Sequence, residues 1–106
     1  MNIIEYIPKG IENAISRKSL CIKTGLKDRV VRSLIEEARR ETIIISNNDG
    51  SGYWIYPEDP NNEEKLMLEK YVKQQESRAK SIFYALYPAR MMMKEVAGNG
   101  GGNQMD

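Results

Sequence analysis

Residues 16–41 run through one helical pattern, a glycine and a second helical pattern, and few folds accommodate that order. Ser16 is a side chain suited to cap a helix, and the residues after it predict a helix over 17–24 that buries Leu20 and Cys21. Gly25 stops that helix, because glycine reaches the left-handed conformation without a steric penalty. A second helix is expected over about 28–41, where Val31, Leu34, Ile35 and Ala38 recur at three- and four-residue steps. Helices joined by so short a turn must bury their facing sides. Cys21 falls where they cross most closely and acts there as a small apolar residue without chemistry. The opposite face of the second helix is thereby fixed, with Lys27, Arg29, Arg32, Ser33, Glu36 and Arg40 pointing outward.

The flanking segments are shorter signals. Asn2 can cap a short helix carrying Ile3, Ile4 and Ile7, which Pro8 and Gly10 end. Ala14–Ile15 reads as a brief strand. "TIIIS" at 42–46 is β-branched, "YWIY" at 53–56 is aromatic, and the turn formers "NNDGSG" lie between them, so the pair predicts a β-hairpin with its loop near 47–52. Asp59 and Pro60 then mark the start of a long helix, with proline at its first position. Pro88 disfavours helix at the residue before it, so the helix is expected to end at Tyr87 and to span roughly 39 Å. The expected fold class is mainly α with a small β-hairpin. Its divisions are a helix-turn-helix and hairpin over 1–57, the long helix over 58–87, and a Met-rich segment with a disordered, glycine-rich tail over 88–106.

Composition removes whole classes of function. With no histidine and one cysteine, zinc-site constellations and the usual nucleophile–base pairs have no residues to draw on, and a non-enzymatic protein without cofactor, metal or evident small-molecule ligand is expected. A lone cysteine forms no internal disulfide, which fits a reducing cytoplasm. No apolar run is long enough to cross a bilayer and the N-terminus lacks the pattern of a signal peptide, so no membrane association is expected. Net charge is only +1, but residues 16–40 hold eight bases against three acids, whereas 57–64 hold four acids and no base. Charge gathered on one helical region is the footprint of phosphate contact. An ordinary solvated αα-hairpin would collect basic residues too, so charge alone leaves both readings open.

The order helix, short strand, helix, glycine turn, helix, hairpin carries a resemblance. "NAIS" before the first helix of the pair, Leu20–Cys21 with "TGL" across the turn, "RVVRSLI" in the second helix and "GYW" leaving the hairpin loop resemble the winged helix-turn-helix domains of small bacterial and phage DNA-binding proteins. The stretch is also similar to the N-terminal domain of biotin operon repressors, and it covers residues 9–56, about half of the chain. Two departures stand out. Lys27 occupies the position where such domains usually carry a serine or threonine cap, so Asp28 is expected to cap instead. The wing loop holds no base, and Asp49 would repel phosphate.

The resemblance implies a cytoplasmic transcriptional regulator of phage or prophage type that binds double-stranded DNA. Its second helix would enter the major groove, where arginine forks onto guanine and serine bonds several bases. Arg29, Arg32 and Ser33 would then read bases, Glu36 lies on the same face, and Arg17, Lys18, Lys27 and Arg40 would hold phosphates. An adaptor that binds proteins through the same domain, and a replication or recombination accessory, remain alternatives. Leu68, Val72, Gln75, Ala79, Ile82 and Leu86 follow one another at steps of 4, 3, 4, 3 and 4, a heptad seam. Dimerisation through Leu68, Val72, Ile82 and Leu86 is expected, the alternative being a helix folded back on its own domain.

Overall fold

The computed structural model describes residues 1–47 and 52–99. The chain is mainly helical, with one two-stranded antiparallel sheet and a long C-terminal helix. In order come 3-10 turns at Ile3–Tyr6 and Ile11–Asn13, α1 (Arg17–Thr24), α2 (Asp28–Ala38), β1 (Ile44–Ser46), β2 (Tyr53–Ile55) and α3 (Asn62–Asn99). Contacts divide the chain into two units, Met1–Tyr71 and Val72–Asp106. Among the described residues no helix is long and apolar enough to cross a membrane.

In Met1–Tyr71, local chemistry sets each element. Asn2 Oδ1 accepts from Ile4 N at 3.1 Å, and the turn it caps buries Ile3, with Ile7 buried just after it. Ser16 Oγ accepts from Ser19 N at 3.0 Å and caps α1. Gly25 sits at φ 73° and its N–H closes α1 on Cys21 O at 2.9 Å. Thr24 steadies the same turn, donating to Leu20 O at 2.7 Å while its oxygen accepts from Leu26 N at 3.2 Å. α2 buries Val31, Ile35 and Ala38, as its spacing predicts, while Leu34 is half-buried and packs at the edge of the core. Leu20, Val31, Ile44, Ile45 and Trp54 are fully buried.

Two expectations about this helix pair change. The residue before α2 is Lys27, which makes no side-chain cap; Asp28 is already the first helical residue and its carboxylate is engaged elsewhere. α2 also ends at Ala38 rather than 41, since Arg40 N turns to Glu37 O and Thr42 N to Ala38 O. That turn swings the chain into β1. Cys21 is half-buried rather than buried, with Sγ 4.0 Å from Asp28 Oδ1.

β1 and β2 pair Ile44 with Ile55, Ile45 with Trp54 and Ser46 with Tyr53. The remaining backbone groups of β2 bond earlier chain. Ile15 and Tyr53 exchange bonds of 2.9 and 2.7 Å, so the expected strand at Ala14–Ile15 is a single bridge; Gly10 N and Pro8 O bond Ile55 at 3.0 and 2.8 Å. Gly52 makes the approach possible. It sits at φ 130°, and a Cβ there would lie 2.1 Å from Ile15 O. Residues 48–51, and with them Asp49 and most of the expected loop, lie outside the described residues.

α3 begins at Asn62, not at Pro60. The cause is a reciprocal pair that starts at the residue after the proline: Asn61 Oδ1 accepts from Glu64 N at 2.8 Å and Glu64 Oε1 accepts from Asn61 N at 2.9 Å, a capping box. Glu64 is buried, and its other oxygen accepts from Ile11 N at 2.9 Å, which ties the start of α3 to the N-terminal turns.

From Val72 onward the described chain is one helix. The expected stop at Tyr87 does not occur, and α3 runs through Pro88 to Asn99. Proline forfeits its own donor and the bond to the carbonyl four residues back, here Tyr84. Tyr84 is 67% exposed, so water can reach that side of the helix. Strong helix formers (Ala85, Leu86, Ala89, Arg90, Met91, Met92) surround the proline and favour continuation. Disorder is expected over 98–106; Gly98 and Asn99 instead belong to α3, and 100–106 lie outside the described residues.

Candidate nucleic-acid interface

α2 presents its two sides unequally. With Val31, Ile35 and Ala38 buried, Arg29, Arg32, Ser33, Glu36 and Arg40 are exposed, and Lys27 is exposed at the N-terminus of the helix. These are the outward residues that periodicity named. The N-terminus of α2 also leaves its first backbone N–H groups without a side-chain cap, and such a terminus favours an anion.

α1 adds to this surface through Arg17 and Lys18, both exposed in its first turn. Arg17 Nε donates to Asp28 Oδ1 at 2.5 Å, and Arg32 Nη1 stands 4.0 Å from the second Asp28 oxygen. Asp28 therefore holds one arginine from each helix across the turn. Arg17 also meets the Tyr53 side chain, and Tyr53 first, Asp28 second, raise its pKa above the ordinary arginine value. The guanidinium stays charged at any working pH. An open cleft of about 460 Å³ lies beside it, lined by Ser16, Arg17 and Lys18 on one side and Ser46, Asn47, Gly52 and Tyr53 on the other.

The base of the hairpin is stiff. Asn47 N donates to Gly52 O at 2.9 Å, and the buried Trp54 donates from Nε1 to Asn47 Oδ1 at 2.7 Å. Both strand ends beside the cleft are thereby fixed. Among the described residues, Lys18, Lys27, Arg29 and Arg40 make no ion pair, so their charge is uncompensated on the surface.

Glu36, Arg39 and Tyr53 behave differently from their sequence reading. Arg39 counts toward the basic surplus of residues 16–40, yet its side chain is only 17% exposed. It donates to Ile44 O at 3.0 Å, to Ser46 Oγ at 3.3 Å and to Glu36 Oε2 at 3.3 Å. Its guanidinium lies 5.9 Å from the Tyr53 ring centroid and 5.2 Å from that of Tyr71. Arg39 is thus a joint between α2, the sheet and the first turns of α3, and Glu36 is occupied with it. A sequence signal existed: Arg39 follows Ile35 by four residues, which puts it on the border of the apolar face. Tyr53 carries Arg39 on its ring and Arg17 at its side chain, a double role that its aromatic neighbours concealed.

No family model, no curated protein and no solved structure matches the chain.

Proposed function

We propose that Met1–Tyr71 is a winged helix-turn-helix that binds double-stranded DNA sequence-specifically, with the N-terminal half of α2 in the major groove. The wider reading is a cytoplasmic transcriptional regulator of phage or prophage type, without enzymatic activity. The observation that carries the proposal is the division of α2: Val31, Ile35 and Ala38 are buried in the core, and the outward side carries Arg29, Arg32 and Ser33, with Arg40 just beyond the C-terminus of the helix, continuous through Asp28 with Arg17 of α1. Arg29, Arg32 and Ser33 read base edges, while Lys18, Lys27 and Arg40 contact phosphates. Arg17 is held at the cleft by Asp28 and Tyr53 and serves as a further phosphate contact. Glu36 orients Arg39 instead of touching a base.

Selection from a random pool of duplex DNA tests this. A single enriched motif is expected, bound with a log–log salt slope of roughly −4 to −5 if about five phosphates are neutralised. Arg32→Ala should relax one base position and cost about 1–3 kcal/mol on the selected site, whereas Lys18→Ala should weaken all sequences alike. No enriched motif together with no retention of duplex at low salt sinks the proposal and leaves a protein-binding adaptor.

A further inference from the structure

Among the described residues from Val72 onward the large apolar side chains are exposed. Val72 is 43% exposed, Ile82 57%, Leu86 48%, Met93 66% and Val96 61%. Because α3 continues through Pro88, the heptad seam does not stop at Leu86: Ala89, Met93 and Val96 follow at steps of 3, 4 and 3. The stripe from Val72 to Val96 therefore keeps the spacing that suits a second helix lying alongside. Pro88 falls away from the seam, so the bond it forfeits does not face the partner.

The identity of the partner helix is written in the order of the residues. Counted outward from Tyr84, Ile82 stands as far back as Leu86 stands forward, and Ala79 matches Ala89, Gln75 matches Met93 and Val72 matches Val96. Large faces large, small faces small, and both ends carry valine. A seam that reads alike in both directions is what a two-fold axis across an antiparallel pair demands. The residues beside the seam agree. Glu76 of one helix falls opposite Arg90 of the other, and Phe83 opposite Phe83, with Arg90 already 5.7 Å from the Phe83 ring in its own chain. A parallel pair would set Gln75 on Gln75 and bring Glu76 beside Tyr71 and Arg90 beside Ala85, with no opposite charges meeting.

We infer that the occupant of this face is a second copy of the same chain, its α3 antiparallel to the first and centred at Tyr84. The pair consists of layers Val72–Val96, Gln75–Met93, Ala79–Ala89 and Ile82–Leu86, each occurring twice. The inference is independent of DNA binding and its tests do not use DNA.

Sedimentation of the full chain at micromolar concentration should give a dimer. Ile82→Glu with Leu86→Glu should give a monomer with unchanged Trp54 fluorescence, and Tyr84→Glu, on the outer face, should remain a dimer. Orientation is read by cross-linking in a Cys21→Ser chain. Mixing Val72→Cys with Val96→Cys under mild oxidation should yield the mixed covalent dimer, and neither variant alone should link. A monomeric native chain, or a Val96→Cys chain that links to itself, overturns the inference.

Discussion

The two units spend their apolar residues in opposite ways. In Met1–Tyr71, residues far apart in sequence (Ile3, Leu20, Val31, Ile44, Ile55) are buried together, and the polar groups drawn inside this unit are bonded: Trp54 to Asn47, Arg39 to Ile44, Glu64 to Ile11. Among the described residues, what this unit leaves without an ion pair on its surface is charge, chiefly Lys18, Lys27, Arg29 and Arg40. From Val72 on, residues of the same apolar types stand in water and nothing in the described chain covers them. A burial pattern thus separates two kinds of unfinished surface, one suited to an anion and one suited to an apolar helix. The same kind of substitution therefore costs differently in each unit.

The largest contrast is between Leu20→Ala and Tyr84→Ala. Leu20 is fully buried between α1 and α2, so truncation should remove about 2–5 kcal/mol from the stability of Met1–Tyr71. Tyr84 is exposed on the outer side of α3, and its loss should stay within about 0.5 kcal/mol. Urea unfolding followed by Trp54 fluorescence measures both. Comparable losses would mean that the exposed helix is packed in solution against something that Tyr84 touches.

Next come the two left-handed glycines. Gly25→Ala meets open space and bears only the left-handed penalty, about 1–2 kcal/mol. Gly52→Ala also drives a methyl into the Ile15 carbonyl, so it should cost about 3 kcal/mol or more, by the strained conformation and the broken bridge to Tyr53 together. If the two variants melt alike, the approach of Gly52 to Ile15 is looser than described.

The helix pair was the most legible part of the sequence, because three independent signals (Ser16, Gly25 and the spacing of Val31, Ile35 and Ala38) specify one local geometry. The capping by Asn61 and Glu64 was legible in principle, since an Asn-x-x-Glu pattern stands in the chain, but the nearby Pro60 is a stronger local sign and drew the boundary earlier. The stop at Tyr87 failed for a different reason. A proline lowers helix stability by a finite amount, and on an exposed helix flanked by alanine, leucine and methionine that amount does not decide the outcome. In the candidate interface, exposure of Arg29, Arg32, Ser33 and Arg40 followed from helical period alone. Which cations are neutralised did not, because Arg17–Asp28 and Arg39–Tyr71 join residues that only the fold brings together.

Arg39 offers an intermediate effect. Arg39→Lys keeps the charge but has no planar fork to serve Ile44 O, Ser46 and Glu36 at once, or to lie over Tyr53 and Tyr71. A loss of about 1–2 kcal/mol is expected, from one forfeited bond to a half-buried carbonyl and weaker ring contacts. Lys18→Ala, a base of the open surface, should change stability by less than about 0.5 kcal/mol. Equal effects would return Arg39 to the solvated surface charges.

Asp28→Asn has a small effect on stability and gives the most direct reading of the charged surface. Asp28→Asn removes the anion that holds Arg17 and Arg32, both more than a third exposed. Exposed pairs of this kind contribute about 0–1 kcal/mol, and an acid at the first position of a helix adds a favourable dipole interaction of about 0.3–1 kcal/mol. The variant should therefore lose no more than about 2 kcal/mol and keep its fold. Its effect on DNA should be opposite in sign. With the carboxylate gone, Arg17 no longer shares its charge between Asp28 and a phosphate, and no negative charge faces the duplex from the N-terminus of α2. Affinity at low salt should rise, while the log–log salt slope, set by the number of phosphates neutralised, should change by less than about 0.9. Unfolding curves and salt titrations on the same preparation separate the two effects. Weaker binding by a folded Asp28→Asn chain would show that Asp28 aims Arg17 and Arg32 at the duplex instead of restraining them.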